Sequence, residues 1–366
     1  MLSIIMKNKK EKVIIFISSA LGDFIWFTSV IPLIKSFNKN FEITLITYDS
    51  YKSLIDKNLD INLIFAKKNC FFHRYKFIRY IYKFIFMIDF FKIFKLYKSE
   101  YLIFLSPPMK FSLSIFHKIY KIHNIFVVKE LIAGLKIRDK DIKDYVKIID
   151  LGNINNLHIM MRYQKAIRSI FLNYNLSIPI LPDTSFLSSK IKLLITNTKN
   201  YKIAFCTRGS ADWKFLNIDF LKEVISQIDD IYDTTFFVIG SGNSKFDDTD
   251  KLKKLLPNKD IRSVYNKTSL LELTEFMKNM DLLISIDTGV VHIAAAVNTP
   301  VISLCGPTLP IHSAPVYHKG VSLYSRRSCS PCDIQSNTNN KICKDMKCLK
   351  DISSDMLVEE VKKILK

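Results

Sequence analysis

The sequence predicts an α/β protein with parallel sheets in two successive halves, and three observations carry that expectation. Short apolar runs alternate with stretches of helical periodicity along most of the chain, which is the order that builds parallel sheets. The segment Asp281–Thr308, DLLISIDTGVVHIAAAVNTPVISLCGPT, reads as strand, turn, small-residue helix, strand and turn in succession. Near the other end, Ser18-Ser19-Ala20-Leu21-Gly22-Asp23 repeats the strand-to-turn arrangement after the apolar run Val13–Ile17. The C-terminal edge of a parallel sheet gathers backbone N–H groups, and phosphates bind there. Two such edges in one chain imply two domains facing one cleft.

Taken in order, the first half predicts strands at Val13–Ile17, Ile43–Thr47, Ile61–Phe65, Tyr101–Leu105 and Phe126–Val128, with helical stretches between them. A helix is expected over Phe24–Phe37, because Trp26, Val30, Leu33 and Phe37 recur at a period near 3.6. Pro32 lies inside it and should free the Thr28 carbonyl and bend the axis. Leu176–Thr184, with two prolines, reads as the linker. The second half predicts strands at Lys202–Cys206, Thr235–Ile239, Arg262–Tyr265, Leu282–Ile286 and Val301–Cys305. A last helix starts near Ser354 and carries Leu357, Val361, Ile364 and Leu365 on one face. The expected domains are residues 1–180, residues 181–352 and a closing helix over residues 353–366.

A chain of 366 residues has room for about two ordinary domains. Its 54 Lys and Arg against 34 Asp and Glu give a net charge of +20, which favours an anionic partner such as a nucleotide or acidic lipid, or reflects a Lys-rich coding bias. No RNP-like or helix-turn-helix signature accompanies that charge, so nucleic acid is not expected as a partner. The apolar run at Met1–Met6 is too short for a signal peptide, and no run of about 18 uncharged apolar residues predicts a membrane span. Cys70, Cys206 and Cys305 read as isolated thiols of a reducing compartment. In residues 71–98, FFHRYKFIRYIYKFIFMIDFFKIFKLYK, aromatic and basic residues alternate. Such a segment either docks on an anionic membrane surface or packs as two helices with snorkelling lysines.

These motifs resemble glycosyltransferase family 9, the bacterial lipopolysaccharide heptosyltransferases. The N-terminal resemblance rests on Leu21-Gly22-Asp23 followed by a helix with an internal proline. The C-terminal one rests on Asp287-Thr288-Gly289, His292, Ala294–Ala296, Pro300-Val301 and Gly306-Pro307-Thr308, with Lys267-Thr268-Ser269-Leu270 before it. The resemblance implies a GT-B fold of two Rossmann-like domains around a cleft, with the acceptor on the N-terminal domain and the nucleotide-sugar donor on the C-terminal one. It implies an inverting transferase, needing no metal, that moves a heptose from ADP-heptose to the lipopolysaccharide inner core, a lipid A–Kdo acceptor. It places the enzyme at the cytoplasmic face of the inner membrane. Transfer of another nucleotide sugar, a GT-B nucleotide-sugar epimerase and a degenerate sugar-binding subunit are the alternatives.

Inversion needs a base on the acceptor hydroxyl and a stabilised leaving diphosphate. Asp23 resembles the family's base; read from its position alone, it is a cap of the following helix. The diphosphate is expected on the Thr288 and Gly289 amides and the Thr288 hydroxyl, with Asp287 orienting the turn or bonding sugar hydroxyls. His292 either contacts phosphate or packs on the sheet. Thr207, Arg208 and Ser210 form a further strand edge suited to phosphate oxygens. The family pattern of Lys, any residue, Trp and Pro is altered here to Trp213-Lys214-Phe215-Leu216, so Lys214 or Arg208 must supply the charge. Gly240 and Thr268 are expected beside the nucleoside, with Asp247 or Asp248 as its acid. Gly22, Lys110 and Arg162 are the acceptor candidates, with His158 and Tyr163 nearby in sequence. Cys329, Cys332, Cys343 and Cys348 have a spacing that suits structural zinc, reduced thiols or oxidised pairs.

Overall fold

The computed structural model describes residues 11–17, 20–55, 61–66, 101–104, 124–128, 146–149, 151, 157–171, 179, 181–182, 188–209, 214–315, 319–328, 330 and 346–366. The expected aromatic–basic segment 71–98 lies outside them, as do Cys70, Lys110, Ser210, Trp213, Cys329, Cys332 and Cys343. The chain divides into two compact units, Met1–Ile154 with Met160–Pro182, and Asn155–Ile159 with Asp183–Lys366.

The first unit holds a parallel sheet of β1 (Lys12–Phe16), β2 (Glu42–Tyr48), β3 (Ile61–Ala66), β4 (Tyr101–Phe104), β5 (Asn124–Val128) and β6 (Val146–Ile149). Its strand order is β3-β2-β1-β4-β5-β6. The chain leaves β1, builds outward through β2 and β3, then returns to the other side of β1 with β4. The crevice at that reversal, outside the strand C-termini, is the binding position of open α/β sheets.

The second unit repeats the plan with β7 (Tyr201–Cys206), β8 (Thr234–Ile239), β9 (Asp260–Ser263), β10 (Leu282–Ile286), β11 (Val301–Cys305) and β12 (Gly320–Tyr324). The order is β12-β11-β10-β7-β8-β9, again all parallel, with the reversal between β7 and β10. β8 and β10 are buried along their whole length, which is why they appear in the sequence as mostly apolar runs rather than alternating ones. The closing helix Ser354–Ile364 is capped by Ser353, whose side chain accepts from the Met356 N–H at 3.2 Å. It seats Leu357, Val361 and Leu365 in the core of this unit.

The strands expected from the sequence are all present, and four differences have physical reasons. β6 and β12 went unpredicted; both are short sheet edges of four and five residues, and β12 is only partly buried. β9 begins at Asp260, two residues before the expected strand, because the Asp260 carboxylate takes the Thr235 hydroxyl at 2.7 Å and the Arg262 guanidinium at 2.8 Å. It stops before Tyr265, which enters a turn with Asn266 at φ 56°. The expected helix Phe24–Phe37 is two helices, Leu21–Thr28 and Val30–Phe37, meeting at Ser29. Pro32 has no N–H to give the Thr28 carbonyl, and the hydroxyls of Thr28 and Ser29 turn back onto the Ile25 and Trp26 carbonyls, each at 2.7 Å.

Candidate functional site

At the reversal of the second sheet, β10 hands the chain to Asp287, Thr288 and Gly289. Thr288 is extended, at φ −146° and ψ 171°, and caps the helix Gly289–Ala296 with its hydroxyl 3.4 Å from the Val290 N–H. The Thr288 and Gly289 amides have no partner among the described residues. They sit at the positive end of the helix, which makes them a ready anion site. The helix carries alanines because it lies close on the sheet; Ala294 and Ala295 are fully buried or nearly so. His292 is also buried, at 5% exposure, on that same helix.

Asp287 is held from two sides. The Thr308 hydroxyl, in the turn after neighbouring β11, donates to its Oδ2 at 2.7 Å. Lys214 Nζ lies 3.5 Å from the same oxygen and donates to the Asp287 carbonyl at 3.1 Å. Lys214 arrives there on a short hairpin after β7. Gly209 N–H donates to the Lys214 carbonyl at 2.8 Å, and Leu216 N–H to the Thr207 carbonyl at 2.8 Å. Glycine is required at the start of that hairpin: a Cβ on Gly209 would stand 2.9 Å from the Lys214 Cβ. The geometry therefore brings Lys214, Asp287, Thr288 and Gly289 together at one sheet edge.

Arg208 is directed elsewhere. Its guanidinium lies over the Phe246 ring at 4.7 Å and the Phe215 ring at 5.3 Å. Its Nε is 3.8 Å from Asp248, and the Thr207 hydroxyl donates to the same carboxylate at 3.2 Å. Asp248 is 3% exposed. Asp247 is equally committed, accepting from the Ser263 hydroxyl at 2.6 Å and the Thr249 hydroxyl at 2.5 Å. The two acids expected beside the nucleoside thus tie loops together instead. Gly240 ends β8 under the Tyr265 ring, where a Cβ would meet Tyr265 Cε2 at 2.4 Å. Thr268 follows in the loop above, half-buried, next to Lys267, whose Nζ donates to the Ser263 carbonyl at 2.9 Å.

Cys206 and Cys305 end β7 and β11 and are buried. Burial pushes the Cys206 thiol up, while hydrogen bonds from Ser285 and Thr288 oppose the rise. Burial and the Asp287 carboxylate push Cys305 up to about 12. The thiolate is the reactive form, so both are expected to resist alkylation by iodoacetamide in the native protein at pH 8 and to react on unfolding; mass spectrometry of native and denatured samples checks this. A raised folded pKa gives stability that is complete below the unfolded thiol value and fades as pH climbs toward the folded one. Loss of stability from these thiols therefore belongs above pH ~9. Cys348 is buried too, and its Sγ would stand 2.8 Å from a Cβ on Gly306. Among the described residues no cluster of His, Cys, Asp and Glu is arranged to hold a metal.

In the first unit the reversal lies between β1 and β4, and the turn after β1 carries Gly22 and Asp23. Asp23 is the third residue of the helix Leu21–Thr28, not a cap residue before it; the capping position is Ala20, whose methyl side chain makes no hydrogen bond. Asp23 is half-buried in the first turn, where the helix dipole favours its charge. Tyr51 comes from the short 3-10 helix after β2, stacks on Phe24 with ring centroids 4.6 Å apart, and is 4% exposed. Burial raises its phenol pKa, helped by Tyr48 and by the Asp23 carboxylate, so the two side chains share one electrostatic neighbourhood. Arg162 is half-buried on the helix Ile159–Phe171, while Tyr163 is 4% exposed and packs edge-on against Phe27. His158 belongs to the second unit, where it meets the Ala314 carbonyl through Nε2 at 2.7 Å.

Sequence reasoning gave no role to Thr308, Tyr51, Tyr265 or Asn266. Thr308 was accessible in principle, since it follows the strand beside β10 and must end at the same edge.

Comparison with known proteins adds to this geometry. Residues 159–343, half the chain, match the family model for glycosyltransferase family 9 (heptosyltransferase). A stretch of 132 residues, 35% of this chain, is 26% identical to lipooligosaccharide heptosyltransferase 2 of Campylobacter jejuni subsp. jejuni serotype O:6, and spans only 40% of that relative's length. The glycosyltransferase family 9 structure from Veillonella parvula superposes with a TM-score of 0.71 at 16% identity, covering 98% of both chains. ADP-heptose lps heptosyltransferase II of E. coli gives 0.68 at 15% identity, covering 97% of this chain and 98% of that one.

Proposed function

The chain belongs to glycosyltransferase family 9, and from that premise we propose that it is an inverting heptosyltransferase. The donor in this reading is ADP-heptose, the sugar of the E. coli relative whose fold it shares, and the acceptor is the lipopolysaccharide inner core, a lipid A–Kdo saccharide. The second unit binds the donor and the first binds the acceptor. The observation that carries the donor half is the sheet edge where Lys214 and the Thr288 and Gly289 amides converge beside Asp287.

Chemistry follows from those groups. The acceptor hydroxyl oxygen attacks the anomeric carbon from the face opposite the diphosphate. Its proton passes to the Asp23 carboxylate as the new glycosidic bond forms. The bond from the anomeric carbon to the phosphate oxygen breaks, and the diphosphate leaves with the electron pair. Negative charge grows on that oxygen, and the helix N-terminus with the Lys214 ammonium stabilises it. In this reading those groups supply the positive charge, and no metal is required. Asp287 is ion-paired with Lys214, accepts a hydrogen bond from the Thr308 hydroxyl, and in this reading orients the turn.

Gly22 and Arg162, with Lys110, are the proposed acceptor contacts. A net charge of +20 suits an acidic acceptor and contact with the anionic cytoplasmic face of the inner membrane. Among the described residues no helix is long and apolar enough to cross a membrane.

A donor screen tests the proposal. Thermal shift with ADP, UDP, GDP and CMP is expected to show selective stabilisation by ADP, with turnover following for ADP-heptose and a truncated core acceptor. Selective stabilisation by UDP would replace the heptose reading with transfer of another sugar.

A further inference from the structure

We propose that Asn266, with Tyr265, is a positioning residue that pre-shapes the turn Gly240–Asn243 into the subsite for the nucleoside part of the donor. The inference rests on the transferase reading above and adds a specificity device to it.

Topology fixes where this turn sits. β8 lies next to β7 on the side away from β10, so its C-terminal end adjoins the diphosphate edge. In doubly wound sheets that neighbouring strand end reads the ribose. There a carboxylate ordinarily does the work, but the two acids of the following loop are consumed internally: Asp247 by Ser263 and Thr249, and Asp248 by Thr207 and Arg208. The turn itself must therefore do the reading.

It is held unusually fully for an exposed loop. The Asn266 N–H donates to the Gly240 carbonyl at 2.9 Å. The Asn266 side-chain amide clasps Gly242 from both directions, Oδ1 accepting from the Gly242 N–H at 2.8 Å and Nδ2 donating to the Gly242 carbonyl at 2.9 Å. The single Tyr265 hydroxyl proton is shared between the carbonyls of Ser241 at 3.1 Å and Asn243 at 3.3 Å, and the Asn243 carbonyl also accepts from the Phe246 N–H at 3.0 Å. Every carbonyl of the turn is thereby satisfied by protein.

The groups left over are nearly all donors. The Ser241 N–H, the Ser241 hydroxyl and the Asn243 Nδ2 have no partner among the described residues, and both residues are exposed. Both backbone conformations are left-handed, Asn266 at φ 56° and Gly242 at φ 117°, a region that asparagine and glycine enter at little cost and most other residues avoid. The residue types thus match the turn, and the turn aims a set of donors at ribose or base oxygens and nitrogens. A turn already locked in its bound shape spares the ordering cost on binding.

The test is calorimetric titration of ADP and of inorganic pyrophosphate into the full-length protein, wild type against Asn266→Gly. Glycine keeps the left-handed backbone and deletes only the clasp. ADP affinity is expected to fall about tenfold while pyrophosphate affinity stays within about twofold, since Lys214 and the Thr288 amide are untouched. Tyr265→Phe, which removes a single hydroxyl, should weaken ADP in the same direction by about threefold. At saturating donor, kcat should be unchanged and the donor KM raised. Unchanged ADP affinity, or an equal fall for ADP and pyrophosphate, overturns the inference. A wild-type protein that binds pyrophosphate but no nucleoside diphosphate overturns instead the transferase reading beneath it.

Discussion

Asp23→Asn is expected to lower kcat by about 10³-fold, within the range that loss of a general base produces. The substitution keeps the size and shape of the side chain, removes its negative charge and its capacity to take a proton, and replaces one acceptor oxygen with an NH2 donor. Asp23 belongs to the first sheet, at the reversal beside β1, whereas every proposed donor contact belongs to the second. ADP affinity should therefore remain at the wild-type value. The stability cost should be small, about 0.3–1 kcal/mol for losing a negative charge in the first turn of a helix. The three measurements separate the roles. A purely structural role in the first turn would cost stability and spare turnover; a base costs turnover, with little loss of stability and none of donor binding. Turnover within tenfold of wild type in a folded Asp23→Asn protein would remove Asp23 from the chemistry.

Much of the architecture was legible because it rests on burial. Strands such as Leu282–Ile286 are covered on both faces, and their apolar runs leave few other readings. The turn Asp287-Thr288-Gly289 was legible as well, since an N-cap hydroxyl followed by glycine and alanines announces a helix packed close on a sheet. Edge strands β6 and β12 were not, because they are short, and β12, only partly buried, needs no continuous apolar pattern. Side-chain destinations were the least legible. Arg208 and Lys214 are both cations after β7, and the sequence offered either for the diphosphate. Only the hairpin pairing of Arg208 with Phe215 sends one toward Phe246 and Asp248 and the other toward Asp287. The clasp of Asn266 on Gly242 joins residues 24 positions apart, a distance over which no local motif speaks.

Lys214→Met is the second change with a large expected effect, a fall in kcat/KM of about 100-fold. Methionine preserves the stem that packs over Gly209, so the hairpin should stand. What disappears is a largely buried ammonium, its side chain 16% exposed, beside the amides proposed to take the diphosphate. A charge-assisted hydrogen bond of that kind contributes about 1.5–3 kcal/mol, and each 1.4 kcal/mol is tenfold in rate. Two explanations would give the same single-mutant result. Lys214 either meets the leaving diphosphate or merely neutralises Asp287, whose exposed charge would then repel it. The double variant distinguishes them. If neutralisation were its whole role, Lys214→Met combined with Asp287→Asn would recover most of the activity, because the uncompensated carboxylate is gone and the introduced amide still offers Thr308 an acceptor. If the ammonium stabilises the departing oxygen, the double variant stays as slow as Lys214→Met alone. The geometry favours the second outcome. Lys214 reaches the Asp287 backbone carbonyl at 3.1 Å, closer than its 3.5 Å approach to the carboxylate, so the ammonium is fixed at this edge even when the side-chain charge is removed.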